Sequence, residues 1–278
     1  MASKYLELPK GFHSDFQNPK AKPVGEVEID WNHPLAKGLT LCMPFQMSGY
    51  VDLVKQGRRA VFNGDAKRTP EGVLLDESGD YLVIPDVVID SAYTIVTHVD
   101  FTDNDGSNFQ YFLSTGSFQA TNTINWYLGE SSNRMTATHD SSANNLFVET
   151  DEYPAINNLA YTLAVDGRDA GLYFDGRFIL GRADYGSVAI ADGTTTSLWV
   201  GTRGDLNADR MLGGTEKYVY IYNRKLSAAE IKKLAESPYC FLKPKQPSYL
   251  MIQAAAPPST FQVAWAMNSN IYIGEHAA

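Results

Sequence analysis

At 278 residues and a formal net charge of −9, the chain has room for one large β-domain with arms or for two small domains. Its acidity argues against a phosphate-backbone partner, which needs clustered Lys and Arg. Aromatic residues make up 12% and Tyr alone occurs 16 times, a composition that suits pleated, half-buried surfaces. The two cysteines, Cys42 and Cys240, make neither a disulfide framework nor a zinc site. Each reads as a small buried hydrophobe, and a bridge between them stays open. No apolar run approaches the length of a membrane span, and MASKYLELPKGFHSDF lacks the apolar core of a signal peptide. The expectation is a protein made in a cytoplasm, not exported by a standard route and not inserted in a membrane.

Residues 1–28 are polar, and Pro9, Pro19 and Pro23 break any helix; they read as an N-terminal arm with at most a short strand. Residues 29–46 open the domain. Their second half alternates as a strand, with Leu39, Leu41 and Met43 on one face and Thr40 and Cys42 on the other. His33 precedes Pro34, so its backbone is extended. Its side chain is expected to bond a local carbonyl, because no base or nucleophile partner is visible. Residues 72–86 read as two short strands around Glu77-Ser78-Gly79-Asp80. Ala92–Phe101 reads as a further strand, with His98 satisfied by a cross-strand neighbour.

Residues 102–158 are rich in Ser, Asn and Asp, with strands expected in QYFLSTG, INWYLGE and NLFVETD. Residues 159–184 form the clearest β-meander. Asp166-Gly167 and Asp175-Gly176 supply its tight turns; Tyr161, Leu163 and Val165 share one face, and Leu172 and Phe174 share one in the next strand. Residues 212–238 hold a strand, a corner and a helix in order. Tyr218, Tyr220 and Tyr222 project from one face of the strand, Val219 and Ile221 from the other, so both faces are covered and the strand is central. Ser227 caps the helix, Glu230 completes a capping box, Leu226 and Ile231 form a hydrophobic staple, and Pro238 stops it. Beyond Pro244, alanines, prolines and Ser-Thr make a linker. FQVAWAM and NIYIGE then form two strands about Asn268-Ser269-Asn270.

Several of these stretches carry a family resemblance. I-D-W-x-H-P-L-x-x-G-L at 29–39 resembles the start of laminin-G-like domains encoded by bacteriophages. Residues 72–86 are similar to the family hairpin G-x-x-F-x-G-x-x-D-Y-V-x-V-P-D, and L-Y-F-D-G-R at 172–177 to the family L-Y-V-D-G. Y-N-R followed by K-L-S-A-A-E-I at 222–231 resembles the closing segment of laminin-G-like domains of the concanavalin A-like superfamily. The resemblance implies an all-β, concanavalin A-like jelly-roll β-sandwich of two antiparallel sheets, with one short helix near residues 227–236. With no repeat and no second core pattern, one sandwich domain is expected over 29–244, between the arm 1–28 and a linker and C-terminal hairpin arm at 245–278. The chain departs from the family at Glu216, where Ile is usual, at Lys217, where Asp is usual, and at Tyr218 and Tyr220, where charged residues are common.

The superfamily also hosts glycoside hydrolases, so carboxylates need testing. Glu149, Asp151 and Glu152 in ETDEYP are the nearest match. Glu149 and Asp151 share a strand face but Glu152 points away, so the third acid is missing and no catalysis is expected. Asp205, Asn207, Asp209 and Glu216 occupy the first, third, fifth and twelfth positions of a calcium loop. Arg210 stands where the loop glycine belongs and Lys217 disfavours a cation. Bound Ca2+ and a plain Asx-rich loop without a cofactor both stay open. Asn125, Trp126, Tyr127 and Asn133 are candidates for a sugar platform with amides beside it. Tyr218 and Tyr220 either stack on sugars or pack under terminal segments, and packing is the reading taken. In the tail, Phe261, Val263, Trp265, Ile271, Tyr272 and Ile273 make an apolar hairpin that cannot bury itself alone; it is expected to grip its own domain or another subunit.

Two functional expectations follow. One is a non-enzymatic structural protein of the bacteriophage virion, a capsid decoration protein anchored by its arms to capsid proteins or sister subunits as a homo-oligomer. The other is a glycan-binding, lectin-like module of a tail or fibre. The two are compatible where the particle adheres to surface polysaccharide.

Overall fold

The computed structural model describes residues 20–47, 50–101, 109–117, 123–129, 134–140, 145–150, 158–167, 169–182, 193–245, 252–253, 263–267 and 270–274. The strands, in chain order, are β1 (Val27–Ile29), β2 (Leu39–Pro44), β3 (Val61–Asn63), β4 (Lys67–Thr69), β5 (Gly72–Asp76), β6 (Tyr81–Ile89), β7 (Ala92–Phe101), β8 (Gln110–Ser114), β9 (Thr123–Leu128), β10 (Met135–Asp140), β11 (Asn145–Glu149), β12 (Leu159–Asp166), β13 (Asp169–Phe174), β14 (Arg177–Arg182), β15 (Thr194–Val200), β16 (Gly213–Tyr222), β17 (Leu242–Pro244), β18 (Ile252–Gln253), β19 (Val263–Met267) and β20 (Asn270–Gly274); the helix is α1 (Ala228–Glu236). The chain falls into two compact units, Met1–Lys243 and Pro244–Ala278.

The first unit is a sandwich of two antiparallel sheets. One runs β11-β10-β9-β8-β15-β6-β3. The other runs β14-β13-β12-β7-β16-β5-β4, with β2 also pairing β16. Period-two alternation sends one face of each strand inward. Leu82, Ile84, Phe112, Trp126 and Leu198 from the first sheet meet Val73, Ile95, Tyr161, Leu172 and Val219 from the second in one buried core.

The strand β16 lies between β7 on one side and β5 and β2 on the other. Val219 and Ile221 enter the inter-sheet core. Tyr218, Tyr220 and Tyr222 enter a second core with Leu226, Ile231, Leu234 and Phe241, where α1 covers the outer face of the sheet. Burying a side chain such as Ile231 or Leu234 contributes about 1.5–3 kcal/mol. Ser227 caps α1 and both bonds of the capping box with Glu230 are present. The β13–β14 turn meets the helix at Gly176, whose φ is +78° and where a Cβ would stand 2.7 Å from Lys232 Cα. Only glycine serves both the turn and that close approach.

A buried ion pair pins residues 50–58 to the sandwich. Asp52 accepts the N–H groups of Cys42 (2.9 Å), Val54 (3.0 Å) and Lys55 (2.9 Å), and Arg58 Nε at 2.9 Å. Arg58 also donates to the carbonyls of Asp86 and Thr40. Every charge there has fixed partners, which is the condition for keeping such a pair out of water.

Some local expectations need correction. Residues 72–86 do not form a hairpin: β5 belongs to one sheet and β6 to the other, so Glu77–Asp80 is a crossing between layers. The strands β3, β4, β10, β15, β17 and β18 were not foreseen from the pattern. His33 does not bond a carbonyl; its Nδ1 accepts the Leu35 N–H and caps a short 3-10 helix, Pro34–Ala36. Cys42 is buried, Cys240 half-buried, and both are free thiols. No helix among the described residues is long and apolar enough to cross a membrane.

The second unit holds a three-stranded antiparallel sheet, β18-β19-β20. Its register sets Trp265 opposite Tyr272, Ala264 opposite Ile273 and Ala266 opposite Ile271.

Candidate ligand-binding face

Alternation builds the outward face of the seven-stranded sheet. On β9, Ile124, Trp126 and Leu128 enter the core, which leaves Thr123, Asn125 and Tyr127 on the other side. The strand β10 sets Thr136 opposite Tyr127 and Thr138 opposite Asn125. The strand β8 sets Tyr111 opposite Tyr127 and Ser114 opposite Asn125. A bulge between Tyr111 and Leu113 lets Phe112 and Leu113 both reach the core while Tyr111 and Ser114 face out. The result is a face of hydroxyls, one amide and two phenol rings that is itself largely covered: Tyr111 is 2% and Tyr127 9% exposed, and the half-buried Phe109 is the ring at its rim.

The rings form a ladder. Tyr111 and Tyr127 stack with centroids 4.6 Å apart and planes 20° apart, and Phe109 meets Tyr127 edge-on at 5.7 Å. Arginines flank it: the Arg210 guanidinium lies 4.0 Å from the Phe109 centroid and that of Arg203 lies 5.7 Å from Tyr111. Asp205 holds Arg203 through two bonds of 2.9 and 2.6 Å. That contact lowers the Asp205 carboxyl below its ordinary range and raises Arg203. Asn207 caps a short 3-10 helix, Ala208–Arg210, by accepting the Asp209 N–H at 3.0 Å, and this turn places Arg210. Burial pushes the Tyr111 phenol up, so it stays a neutral donor. Ser114 Oγ lies 2.8 Å from Asn125 Oδ1 and accepts the Gly116 N–H at 3.1 Å, which fixes the amide. Flat apolar rings beside fixed amides, hydroxyls and cations suit the mixed faces of a sugar.

Of the residues singled out in the sequence, Asn125 and Tyr127 meet on this face. Trp126 is a correction: it is fully buried, against Phe112 and Tyr161, because it alternates with its two neighbours. It offers no ring to a ligand. Asn133 lies outside the described residues. Tyr218 and Tyr220 stack on each other at 4.7 Å and are closed off by Tyr239 and Phe241, so they make no open platform. Phe109, Tyr111, Arg203 and Arg210 were missed. The alternation of QYFLSTG contained Tyr111, but the bulge that turns it outward leaves no mark in the sequence.

The calcium spacing is a second correction. Glu216 lies in β16 opposite Val99 and Val73, both in the inter-sheet core, and is fully buried. Asp205 is engaged by Arg203 and Asn207 by its own turn. These residues do not converge on one point and do not fit a calcium ion. Among the described residues, the acids that bring carboxylate oxygens within 4.8 Å of one another are Asp65, Asp76 and Asp80. There Asp80 Oδ1 accepts the Asp65 N–H at 2.6 Å, a brace between the β3–β4 turn and the β5–β6 crossing. Glu149 ends β11 opposite Thr136; Asp151 and Glu152 lie outside the described residues. So does Phe261, whereas Val263 and Trp265 stand on β19 and Ile271, Tyr272 and Ile273 on β20.

Comparisons with known proteins agree with this architecture. The chain is similar to domain 4 of an extracellular arabinanase from Geobacillus stearothermophilus, solved in complex with arabinotriose, at 14% identity and a TM-score of 0.56, covering 71% of this chain and 98% of that one. It is similar to a Trypanosoma rangeli sialidase in complex with 2,3-difluorosialic acid, at 17% identity and a TM-score of 0.55 over 73% of this chain; it spans only 34% of the sialidase. It is also similar to the receptor binding domain of botulinum neurotoxin C/D mosaic serotype, at 10% identity and a TM-score of 0.57, covering 87% of this chain and 62% of that one. At such identities the likeness concerns the fold alone. A search of curated protein sequences finds no match. The sequence pattern of the laminin-G-like family described as the concanavalin A-like lectin/glucanases superfamily matches residues 76–232, more than half of the chain. The chain belongs to the concanavalin A-like lectin/glucanases superfamily.

Proposed function

We propose that the chain is a non-enzymatic surface-recognition protein of a bacteriophage particle, in which the sandwich adheres to glycan and the C-terminal unit attaches it to the particle. The observation that carries recognition is the half-buried Phe109, edge-on to the covered Tyr127–Tyr111 stack and flanked with it by Arg210 and Arg203. A similar fold of nearly the same extent, solved with arabinotriose, supports a carbohydrate ligand. The non-catalytic reading rests on the sequence, where Glu149 and Asp151 lack a third acid on their strand face. The particle setting, as a capsid decoration protein or a tail or fibre module, rests on the opening phrase at 29–39 and its likeness to phage-encoded domains.

Glycan-array binding by the full chain tests recognition. Tyr127→Ala and Phe109→Ala each weaken binding about tenfold, the loss of roughly one aromatic contact. Undiminished binding by both variants, with the fold intact, sinks the ladder as the site. Deleting residues 245–278 and measuring incorporation into particles tests attachment. Full incorporation of the truncated chain removes the anchoring role.

A further inference from the structure

A polar cleft of about 240 Å³ opens on the other sheet, beside the end of α1. It owes its chemistry to an irregularity in β16. The register shifts between Glu216 and Tyr218, so Glu216 faces the core while Lys217 and Tyr218 both line the cleft. Across the ladder stands His98, with its ring edge-on to Tyr218 at 5.6 Å.

Asn158 joins these groups. Its φ is +58°, a left-handed conformation that Asn tolerates better than most residues. Its Oδ1 lies 2.9 Å from His98 Nε2 and also accepts Lys217 Nζ. Burial lowers His98 to about 4, so at neutral pH the ring is uncharged and Nε2–H is the donor. Oδ1 is thereby committed to two donors, which turns the Asn158 NH2 away from them. Lys217, with three donors, is partly buried and its pKa is lowered by that burial, opposed by Asp100 and Glu71. Lys20 and Asp175 also line the cleft. With Asp175 in the wall and Asp100 and Glu71 acting on Lys217, the cleft carries no net positive field, so an anion is held by direct bonds to Lys217 Nζ and Asn158. Tyr239 and Pro238 supply an apolar wall, and the Tyr239 hydroxyl donates to Gln46 Oε1.

We infer that this cleft is a binding site for a small carboxylate-bearing ligand of the size of one acidic sugar. The carboxylate lies against Lys217 Nζ and the Asn158 NH2, and the apolar face of the ring lies against Tyr239 and Pro238. The volume is below the ~300–1,000 Å³ of drug-sized sites, which matches a single sugar ring. Charge-assisted donors in a half-buried site favour a carboxylate over a hydroxyl. The site lies on the opposite sheet from the Tyr111–Tyr127 ladder and does not depend on it.

The test is titration of the full chain with galacturonate, galactose and acetate, following the His98 ring by NMR. Galacturonate shifts the His98 signals saturably and moves its titration midpoint upward from about 4, because an anion beside the ring stabilises the imidazolium. Galactose binds at least about tenfold more weakly, the usual worth of a charge-assisted bond. Lys217→Met and Asn158→Gly each lower galacturonate affinity about tenfold or more; glycine keeps the left-handed backbone, so the second variant retains the fold. Equal response to galactose and galacturonate, response to neither, or undiminished binding by both variants overturns the assignment.

Discussion

The Thr97 hydroxyl and Glu216 Oε1 are hydrogen-bonded across the β7–β16 ladder, inside the sandwich, while Glu216 Oε2 has no partner. Thr97 Oγ also lies 3.1 Å from the Tyr218 carbonyl. It has one hydrogen and cannot serve both acceptors. A proton on Glu216 resolves the conflict: the carboxyl donates to Thr97 Oγ, and Thr97 donates to the carbonyl. Burial acts in the same direction, holding the Glu216 carboxyl well above its ordinary range.

Stability is therefore linked to the proton on Glu216. The unfolded carboxyl ionises near 4.5, whereas the folded one keeps its proton far above that. Between the two values the unfolded state binds fewer protons, so this group's contribution is complete below about 4.5 and falls as pH rises through the folded pKa. Glu216→Gln removes this slope. Glu216→Leu stabilises the fold at mildly alkaline pH by about 1–3 kcal/mol, since it removes an unpartnered buried acceptor. Calorimetry across pH checks both; a Tm for the wild type that rises from pH about 5 to about 8, with Glu216→Gln rising in parallel, contradicts the linkage.

The Asp52–Arg58 pair makes a contrasting prediction. Both side chains are buried and fully bonded. Asp52→Ala strands a buried guanidinium and destabilises the fold by about 3–5 kcal/mol, as does Arg58→Met for the carboxylate. The double variant loses much less than the sum of the two, because neither charge is then left unpaired. Additive losses in urea denaturation count against a coupled pair.

Trp126 and Tyr127 are neighbours with opposite roles. Trp126→Ala opens a cavity in the inter-sheet core and costs about 3–5 kcal/mol. Tyr127→Ala leaves that core in place and is read in ligand binding. A Tm lowered equally by both variants argues that Tyr127 too is only a packing residue.

Much of this was legible in the chain and some was not. The strand–corner–helix of residues 212–238 was readable because strand alternation, the Ser227–Glu230 box and the staple all agree locally. The meander of β12 to β14 was readable because Asp-Gly turns fix its register. The crossing at Glu77–Asp80 was not, since a turn that joins two sheets has the same residues as one that closes a hairpin. Trp126 was misassigned in β9, which is covered on both faces, Thr123 to Leu128 all being buried. Its alternation, Thr123, Asn125 and Tyr127 against Ile124, Trp126 and Leu128, nevertheless sets Trp126 with the apolar side, and grouping it with Asn125 and Tyr127 ignored that phase. Bulges at Phe112 and Lys217 shift the phase again. They place Tyr111 on one candidate site and Lys217 on the other.

The acid limb of the stability curve separates into two groups. His98 titrates near 6.5 when unfolded but near 4 when folded, chiefly through burial. The unfolded state binds more protons in that window, so the contribution is present above about 6.5 and lost as pH falls to about 4. Glu230 runs lower. The Arg224 guanidinium, at 2.8 Å, holds it near 2 against an ordinary 4.5, so its contribution is present above 4.5 and disappears as pH falls through about 2. His98→Gln flattens the upper window and leaves the lower one unchanged. Glu230→Gln does the reverse, because glutamine still closes the capping box but carries no charge for Arg224 to bind. Ser227→Ala lowers stability by about 1 kcal/mol throughout. Loss of both windows in the His98→Gln variant alone contradicts the assignment of the lower one to Glu230.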